Sequence, residues 1–173
     1  DGKVIKELFI HKRDVVKISQ IPQELRHGLL AMEDRKFFDH SGLSFQSLTR
    51  AIIVNIFTMS RKQGASTITQ QLARNMYNTI GFEKTYTRKL KELITAIKIE
   101  QTYTKSEIME LYFNSVYFGH GTYGVQAAAS HYYGKDVINL DLNESALLIG
   151  LLPAPARYSP ITHPDRALKR RNS

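Results

Sequence analysis

Tyr86-Thr87-Arg88-Lys89-Leu90-Lys91-Glu92-Leu93-Ile94-Thr95-Ala96-Ile97-Lys98-Ile99-Glu100-Gln101-Thr102-Tyr103 decides the fold. Leu90, Leu93, Ile94 and Ile97 recur three and four residues apart, which predicts a helix over 86–103 with these four on its core face. Arg88 and Lys89 lie four and three residues before Glu92, so the three side chains share one face. Were that face to line a cleft, it would offer two cations beside a carboxylate, suited to an anionic leaving group. On spacing alone, a solvated ladder in which Glu92 merely pairs with Arg88 accounts for the pattern better.

Working outward, helices follow one another on both sides. Thr104-Lys105-Ser106-Glu107 is a capping box opening a helix that ends near Asn114, with Ile108, Leu111 and Tyr112 inward. Phe118-Gly119-His120-Gly121-Thr122-Tyr123-Gly124 reads as a glycine-punctuated loop, and without a strand-turn-helix context it is no dinucleotide fingerprint. Val125 to Tyr133 returns to helix, its alanines allowing close packing and Gly134 ending it. Asp141-Leu142-Asn143-Glu144 caps an apolar helix stopped by Pro153 and Pro155. Tyr158 to Pro164 is expected to be an extended tail before a last basic helix from Asp165. Arg170-Arg171-Asn172-Ser173 stops inside what still reads as a helix, so both chain ends are expected to be cut.

On the N-terminal side, Phe9 to Lys12 reads as a short strand or arm, and a helix is expected from Pro22 to about Arg35. Leu43, Phe45, Leu48, Ala51, Ile52, Ile56 and Phe57, flanked by Arg50, Arg61 and Lys62, have the look of an interfacial helix, with an ordinary core helix as the equal alternative. Gly64 to Asn75 predicts a tight backbone, a cap at Ser66 or Thr67, and a helix whose amide donors point forward. Ile68, Leu72 and Met76 form its buried row, leaving Gln70, Gln71, Arg74 and Asn75 facing a polar space. Asn78 to Phe82 reads as a turn. The architecture is mainly α.

Glu33-Asp34-Arg35-Lys36-Phe37-Phe38-Asp39-His40-Ser41-Gly42 packs three acids, an arginine, a histidine and two aromatics into ten positions. A carboxylate delivered by a helix end to the rim of a cleft beside phenyl rings becomes a usable proton acceptor or donor. The same charges are equally compatible with a solvated helix end whose members pair with each other.

Composition narrows the classes. At 173 residues the chain is expected to be one domain, 1–173, and 42% hydrophobic with 23% charged residues fits a folded chain. No cysteine is present, so neither disulfides nor a thiolate metal site is available. A formal charge of +8 implies an anionic partner: nucleic acid, an acidic membrane surface or a phosphorylated substrate. A nucleic-acid binder predicts a continuous basic stripe, whereas these cations are dispersed or tied to motif positions. No window approaches the roughly 20 apolar residues that span a bilayer, and no signal peptide is visible.

Taken in order, five groups of residues carry a resemblance: Ile21-Pro22 with Glu33-Asp34-Arg35-x-Phe37-x-x-His40-x-Gly42; Gly64-Ala65-Ser66-Thr67-Ile68-Thr69-Gln70-Gln71; Arg88-Lys89-x-Lys91-Glu92; Glu107-Ile108-x-Glu110-x-Tyr112-x-Asn114-x-x-Tyr117-x-Gly119; and Pro153-x-Pro155 to Arg170-Arg171-Asn172. The chain resembles the peptidoglycan glycosyltransferases of family 51, found as monofunctional enzymes and as the first domain of class A penicillin-binding proteins. The resemblance covers nearly the whole chain, and it overturns the bland accounts of Glu33 and Glu92.

What the resemblance implies is a mainly helical, lysozyme-like head with a smaller membrane-associated jaw at roughly 45–62. It implies lipid II and the growing lipid-linked glycan as substrates, an anionic membrane surface as partner, and no nucleic acid. The place implied is the extracytoplasmic face of the bacterial cytoplasmic membrane. By similarity, Glu33 is the general base for the acceptor sugar's 4-hydroxyl, and Glu92 acts near the pyrophosphate leaving group, directly or through a divalent cation such as Mg2+. No organic cofactor is implied. Substrate contacts are implied at Asp34, Arg35, Phe37, His40, Ser66, Thr67, Gln70, Gln71, Arg74, Asn75, Lys84, Arg88, Lys89, Asn114 and Tyr117. Arg74 stands where the family more often has lysine, and Lys84 where some members have arginine; both are expected to bind phosphate. A transpeptidase domain in the same chain distinguishes a bifunctional parent from a monofunctional one, and these residues leave that open. The runner-up is a lysozyme-like muramidase, in which water replaces the acceptor hydroxyl between carboxyl groups roughly 6.5 to 9.5 Å apart. Such a hydrolase needs neither the cations around Glu92 nor a jaw.

Overall fold

The computed structural model describes residues 14–42, 66–77 and 86–173. The expected arm at 9–12, the jaw at 45–62, the turn at 78–82 and Lys84 lie outside the described residues. Among the described residues the chain is mainly α. It has helices α1 (Gln23–Glu33), α2 (Ile68–Tyr77), α3 (Tyr86–Thr102), α4 (Lys105–Ser115), α5 (Val125–Tyr133), α6 (Leu142–Leu151), α7 (Pro155–Tyr158) and α8 (Pro164–Arg171). Strands β1 (Tyr117–Gly119) and β2 (Thr122–Tyr123) form an antiparallel pair between α4 and α5. The chain divides into two compact units, Leu29–Tyr112 and a second made of Asp1–Gly28 with Phe113–Ser173.

The helix ends fall where side chains can satisfy orphan backbone groups. Thr104 opens α4 by accepting the Glu107 N–H at Oγ1, while the Glu107 carboxylate accepts the Thr104 N–H at 2.7 Å. The same reciprocal box joins Asp141 and Glu144 at the start of α6, at 2.8 and 2.9 Å. Gly134 ends α5 in the left-handed conformation, φ 64°, which lets its N–H return to the last turn.

In the unit made of the two chain ends, α6 packs along α8, with Leu148, Ile149, Leu151 and Ala167 buried. Two expectations change here. The glycine-rich loop is a hairpin, because Gly119, His120 and Gly121 all take positive φ and turn the chain within three residues, letting the Tyr117 ring lie tilted against Tyr123, their centroids 4.8 Å apart. The expected extended tail from Tyr158 to Pro164 is instead the end of α7 followed by a turn, in which the His163 N–H donates to the Ser159 carbonyl at 2.8 Å and Ser159 Oγ accepts the Ile161 and Thr162 N–H groups. Asn114 and Gly124 tie this unit's strands to its N-terminal segment. The Asn114 amide accepts the Val16 N–H at 3.0 Å and donates to the Val16 carbonyl at 2.8 Å. Gly124 has φ 86°, and a Cβ there would stand 2.9 Å from the Asn114 carbonyl oxygen. Gly124→Ala is therefore expected to cost about 1–3 kcal/mol, read as a lowered melting temperature; an unchanged melt would contradict this account of the turn.

In the unit Leu29–Tyr112, α2 packs along α3. The face of α3 turned inward is not the expected one. Leu90, Ile94 and Ile97 are 58%, 47% and 38% exposed, and the buried row is Glu92, Ala96 and Ile99. Both rows have three- and four-residue spacing, so periodicity does not choose between them. The small Ala96 admits a close approach of Gly42, where a Cβ would lie 3.2 Å from the Ala96 carbonyl, and Glu92 finds cationic partners on that side.

A candidate active site on one helix

Helix α2 gathers the polar residues of the unit Leu29–Tyr112. Gln71 Nε2 donates to Glu33 Oε2 at 2.7 Å, and three residues along the same helix Arg74 Nε donates to Glu92 Oε1 at 3.0 Å. Side chains three apart on a helix are neighbours. Both carboxylates thus lie along adjacent positions of one helix, although Glu33 comes from the end of α1 and Glu92 from the first turns of α3.

Around Glu92 three cations converge. Lys89 Nζ stands 3.1 Å from Oε2 and Arg88 Nε 3.6 Å from Oε1, completing the set begun by Arg74. Glu92 itself is 2% exposed, whereas the Arg74, Arg88 and Lys89 side chains are 40%, 50% and 46% exposed. Burial pushes the Glu92 carboxyl upward, but hydrogen bonds from Arg74 and Lys89, and their charges, outweigh burial and hold it below its ordinary range. One negative charge inside three positive ones leaves a positive surface of fixed geometry. Ser66 Oγ accepts from Lys89 at 3.2 Å and from Arg74 at 3.4 Å, and Gln70 Oε1 accepts from Lys89 at 3.2 Å, so the ammonium is held from three sides.

A divalent cation on Glu92 does not fit this arrangement. Both its oxygens already accept charge-assisted hydrogen bonds, and a metal placed there would be repelled by three positive groups. Among the described residues no group of three or more histidines or carboxylates converges on a point.

The other predicted contacts divide into those facing outward and those used up within the protein. Glu33 is half-buried, and Asn75 half-buried on α2. Asp34 is buried, and its carboxylate accepts His40 Nε2 at 2.9 and 3.1 Å and the Ile68 N–H at 3.2 Å. The Gly42 N–H donates to His40 Nδ1 at 3.2 Å, so the ring proton sits on Nε2 and faces Asp34. Thr67 Oγ1 donates to the Gly42 carbonyl at 2.7 Å and accepts the Gln70 N–H, while Gln70 Nε2 donates to the same carbonyl at 3.1 Å. The first amide of α2 is thereby spent on Asp34, not left pointing forward as expected.

Phe37 is fully buried, edge-on to Phe38, with Lys105 Nζ 4.4 Å over its ring. Arg35 is exposed and returns its Nε to the Ala31 carbonyl at 3.0 Å. Asp34, Phe37, His40, Thr67 and Gln70 thus form a frame, with polar atoms bonded within the protein and the Phe37 ring buried in the core. Asn114 and Tyr117 belong to the other unit, where the Asn114 amide is bonded to Val16 and the Tyr117 ring lies against Tyr123. One participant escaped sequence reading. Tyr112, buried on α4, donates its hydroxyl to Gln71 Oε1 at 3.1 Å. The available signal was the tyrosine itself, because a phenol placed on an inward helical face needs a polar partner.

A family model described as Transglycosylase matches residues 1–173. The chain belongs to the transglycosylase family. This transglycosylase is 42% identical over 173 residues to penicillin-binding protein 1F of Bacillus subtilis (strain 168), a match covering 100% of this chain and 24% of that protein. It is 49% identical over 171 residues to penicillin-binding protein 1A of Aquifex aeolicus (strain VF5), covering 99% and 23% respectively. Among solved structures it is similar to penicillin-binding protein 1A from Haemophilus influenzae, with 24% identity and a TM-score of 0.48 over 92% of this chain and 14% of that one. The transglycosylase therefore spans about a quarter of the length of the curated relatives named here. Its three clustered cations and its half-buried Glu33 all fall within the matched region.

Proposed function

We propose that this transglycosylase polymerises lipid II into β-1,4-linked glycan. The observation that carries the reading is the placement of Glu33 and the Arg74–Arg88–Lys89 cluster along one helix, a proton acceptor beside a fixed positive surface. Glu33 takes the proton from the 4-hydroxyl of the acceptor sugar as that oxygen bonds to the anomeric carbon of the growing chain. The bond from that carbon to the pyrophosphate oxygen breaks with inversion, and undecaprenyl pyrophosphate leaves as the anion. Arg74, Arg88 and Lys89 meet the charge that develops on the departing oxygens, and being held in place beforehand they reorganise little as it appears. Glu92 works through them, as the buried counter-charge that packs three like charges together. Asp34 and His40 keep the entrance of α2 in position. The step as written uses these cations and no metal ion.

The same cations set this reading apart from hydrolysis of finished glycan, which releases no pyrophosphate. The names of the relatives support a longer parent protein in which this domain works beside a transpeptidase domain. A lipid-linked substrate and the basic charge support action at the extracytoplasmic face of the bacterial cytoplasmic membrane. Among the described residues no helix is long and apolar enough to cross a membrane. The test is incubation with labelled lipid II, followed by a gel that separates glycan strands from cleaved disaccharides. A ladder of strands is expected; disaccharides without strands would replace polymerisation with hydrolysis.

A further inference from the structure

We propose that Tyr112 is a positioning residue for Glu33, acting through Gln71; this rests on the reading of Glu33 as the base. A carboxylate only accepts, so the Gln71 atom 2.7 Å from Glu33 Oε2 is the amide nitrogen. The amide oxygen must then face the other way, and there it accepts the Tyr112 hydroxyl at 3.1 Å. The three groups form a one-directional chain from α4, through α2, to the end of α1: phenol to amide to carboxylate. Each bond fixes the polarity of the next.

Tyr112 suits this task because it cannot change sign. Its ring is fully buried, and burial together with the nearby Glu33 charge pushes the phenol far above its ordinary range, so it stays a neutral donor. The packing of α4 sets where the hydroxyl lies, the hydroxyl sets the Gln71 rotamer, and Gln71 holds Oε2 of Glu33. Oε1 is then the oxygen turned to receive the proton. A base whose accepting oxygen must find its direction in each turnover loses rate in proportion to the time spent misdirected, while substrate contacts elsewhere are unaffected. Removing the hydroxyl leaves the Gln71 oxygen without this donor, and the side chain swings to find another, withdrawing its N–H2 from Glu33.

The test is a cycle of Tyr112→Phe, Gln71→Ala and the double variant, with Glu33→Gln alongside, measured for lipid II polymerisation. Tyr112→Phe is expected to lower kcat about ten-fold with KM within about two-fold, at a melting temperature close to that of the parent. In the Gln71→Ala background the same change should have no further effect on kcat, because its route is already cut. Independent effects that multiply, or a loss carried by KM, would overturn the relay and leave Tyr112 a packing residue. Wild-type turnover in Glu33→Gln would instead remove the base reading. Hydrogen exchange of the Gln71 side-chain amide supplies a readout that needs no turnover. Those protons are expected to exchange faster in Tyr112→Phe than in the parent, and equal exchange would overturn the relay whatever the kinetics.

Discussion

Glu33→Gln is expected to abolish measurable polymerisation, with kcat lower by about 100- to 10,000-fold, the range general bases supply. The substitution is close to isosteric, and its amide oxygen can still accept the Gln71 N–H2 that now reaches Glu33 at 2.7 Å. Fold and helix placement should therefore survive, and the melting temperature should stay near that of the parent. What is lost is the ability to take a proton from the attacking hydroxyl. Because that transfer happens only on the way to the transition state, KM should change little while kcat and kcat/KM fall together. Turnover comparable to the parent would end the account of Glu33 as base.

Glu92→Gln is expected to damage both stability and activity, since the carboxylate organises the cations without reaching solvent. An amide in its place turns donor toward donor at Arg74 or Lys89 and leaves three positive charges with no counter-charge. A stability loss of about 1–3 kcal/mol follows from stranding such groups. Polymerisation should fall by about ten- to a hundred-fold as the positive surface spreads apart, one charge-assisted contact being worth about a factor of ten or more. Acid supplies a second signature. In the folded protein Glu92 is held below its ordinary value of 4.5, so the unfolded chain takes up that proton first as pH falls. The stability due to Glu92 is complete above the ordinary value and drains away as pH descends through the lower folded one. Melting curves from about pH 6 to about pH 3 should show a shallower decline in Glu92→Gln than in the parent. Parallel declines, or a change confined to product length, would take Glu92 out of this role.

How much of this was legible beforehand depended on whether the deciding interaction was local. The Thr104–Glu107 and Asp141–Glu144 boxes, the Gly134 stop and the 86–103 helix rest on residues within one turn of each other, and they stand as expected. So does the Arg88–Lys89–Glu92 face, whose geometry is written in three- and four-residue spacing. The rotation of α3 was not legible, because Glu92 goes inward only when Arg74 arrives from another helix to meet it. Nor could residue type alone say that Asp34 and His40 satisfy each other, as that depends on where the Gly42 and Ile68 amides come to rest. Strands of two and three residues are too short to show any alternation, which is why the 117–123 hairpin read as a loop.

Gly42 has a consequence for how such a domain can change. Its carbonyl is gripped by Thr67 and Gln70, so the chain departs from the site and comes back to it at practically one spot. Both bonds end on a main-chain oxygen, so they pin Gly42 to the start of α2 whatever side chains its neighbours carry. Side chains beside Gly42 can therefore drift in evolution while the spacing between Asp34 and the first turn of α2 is kept.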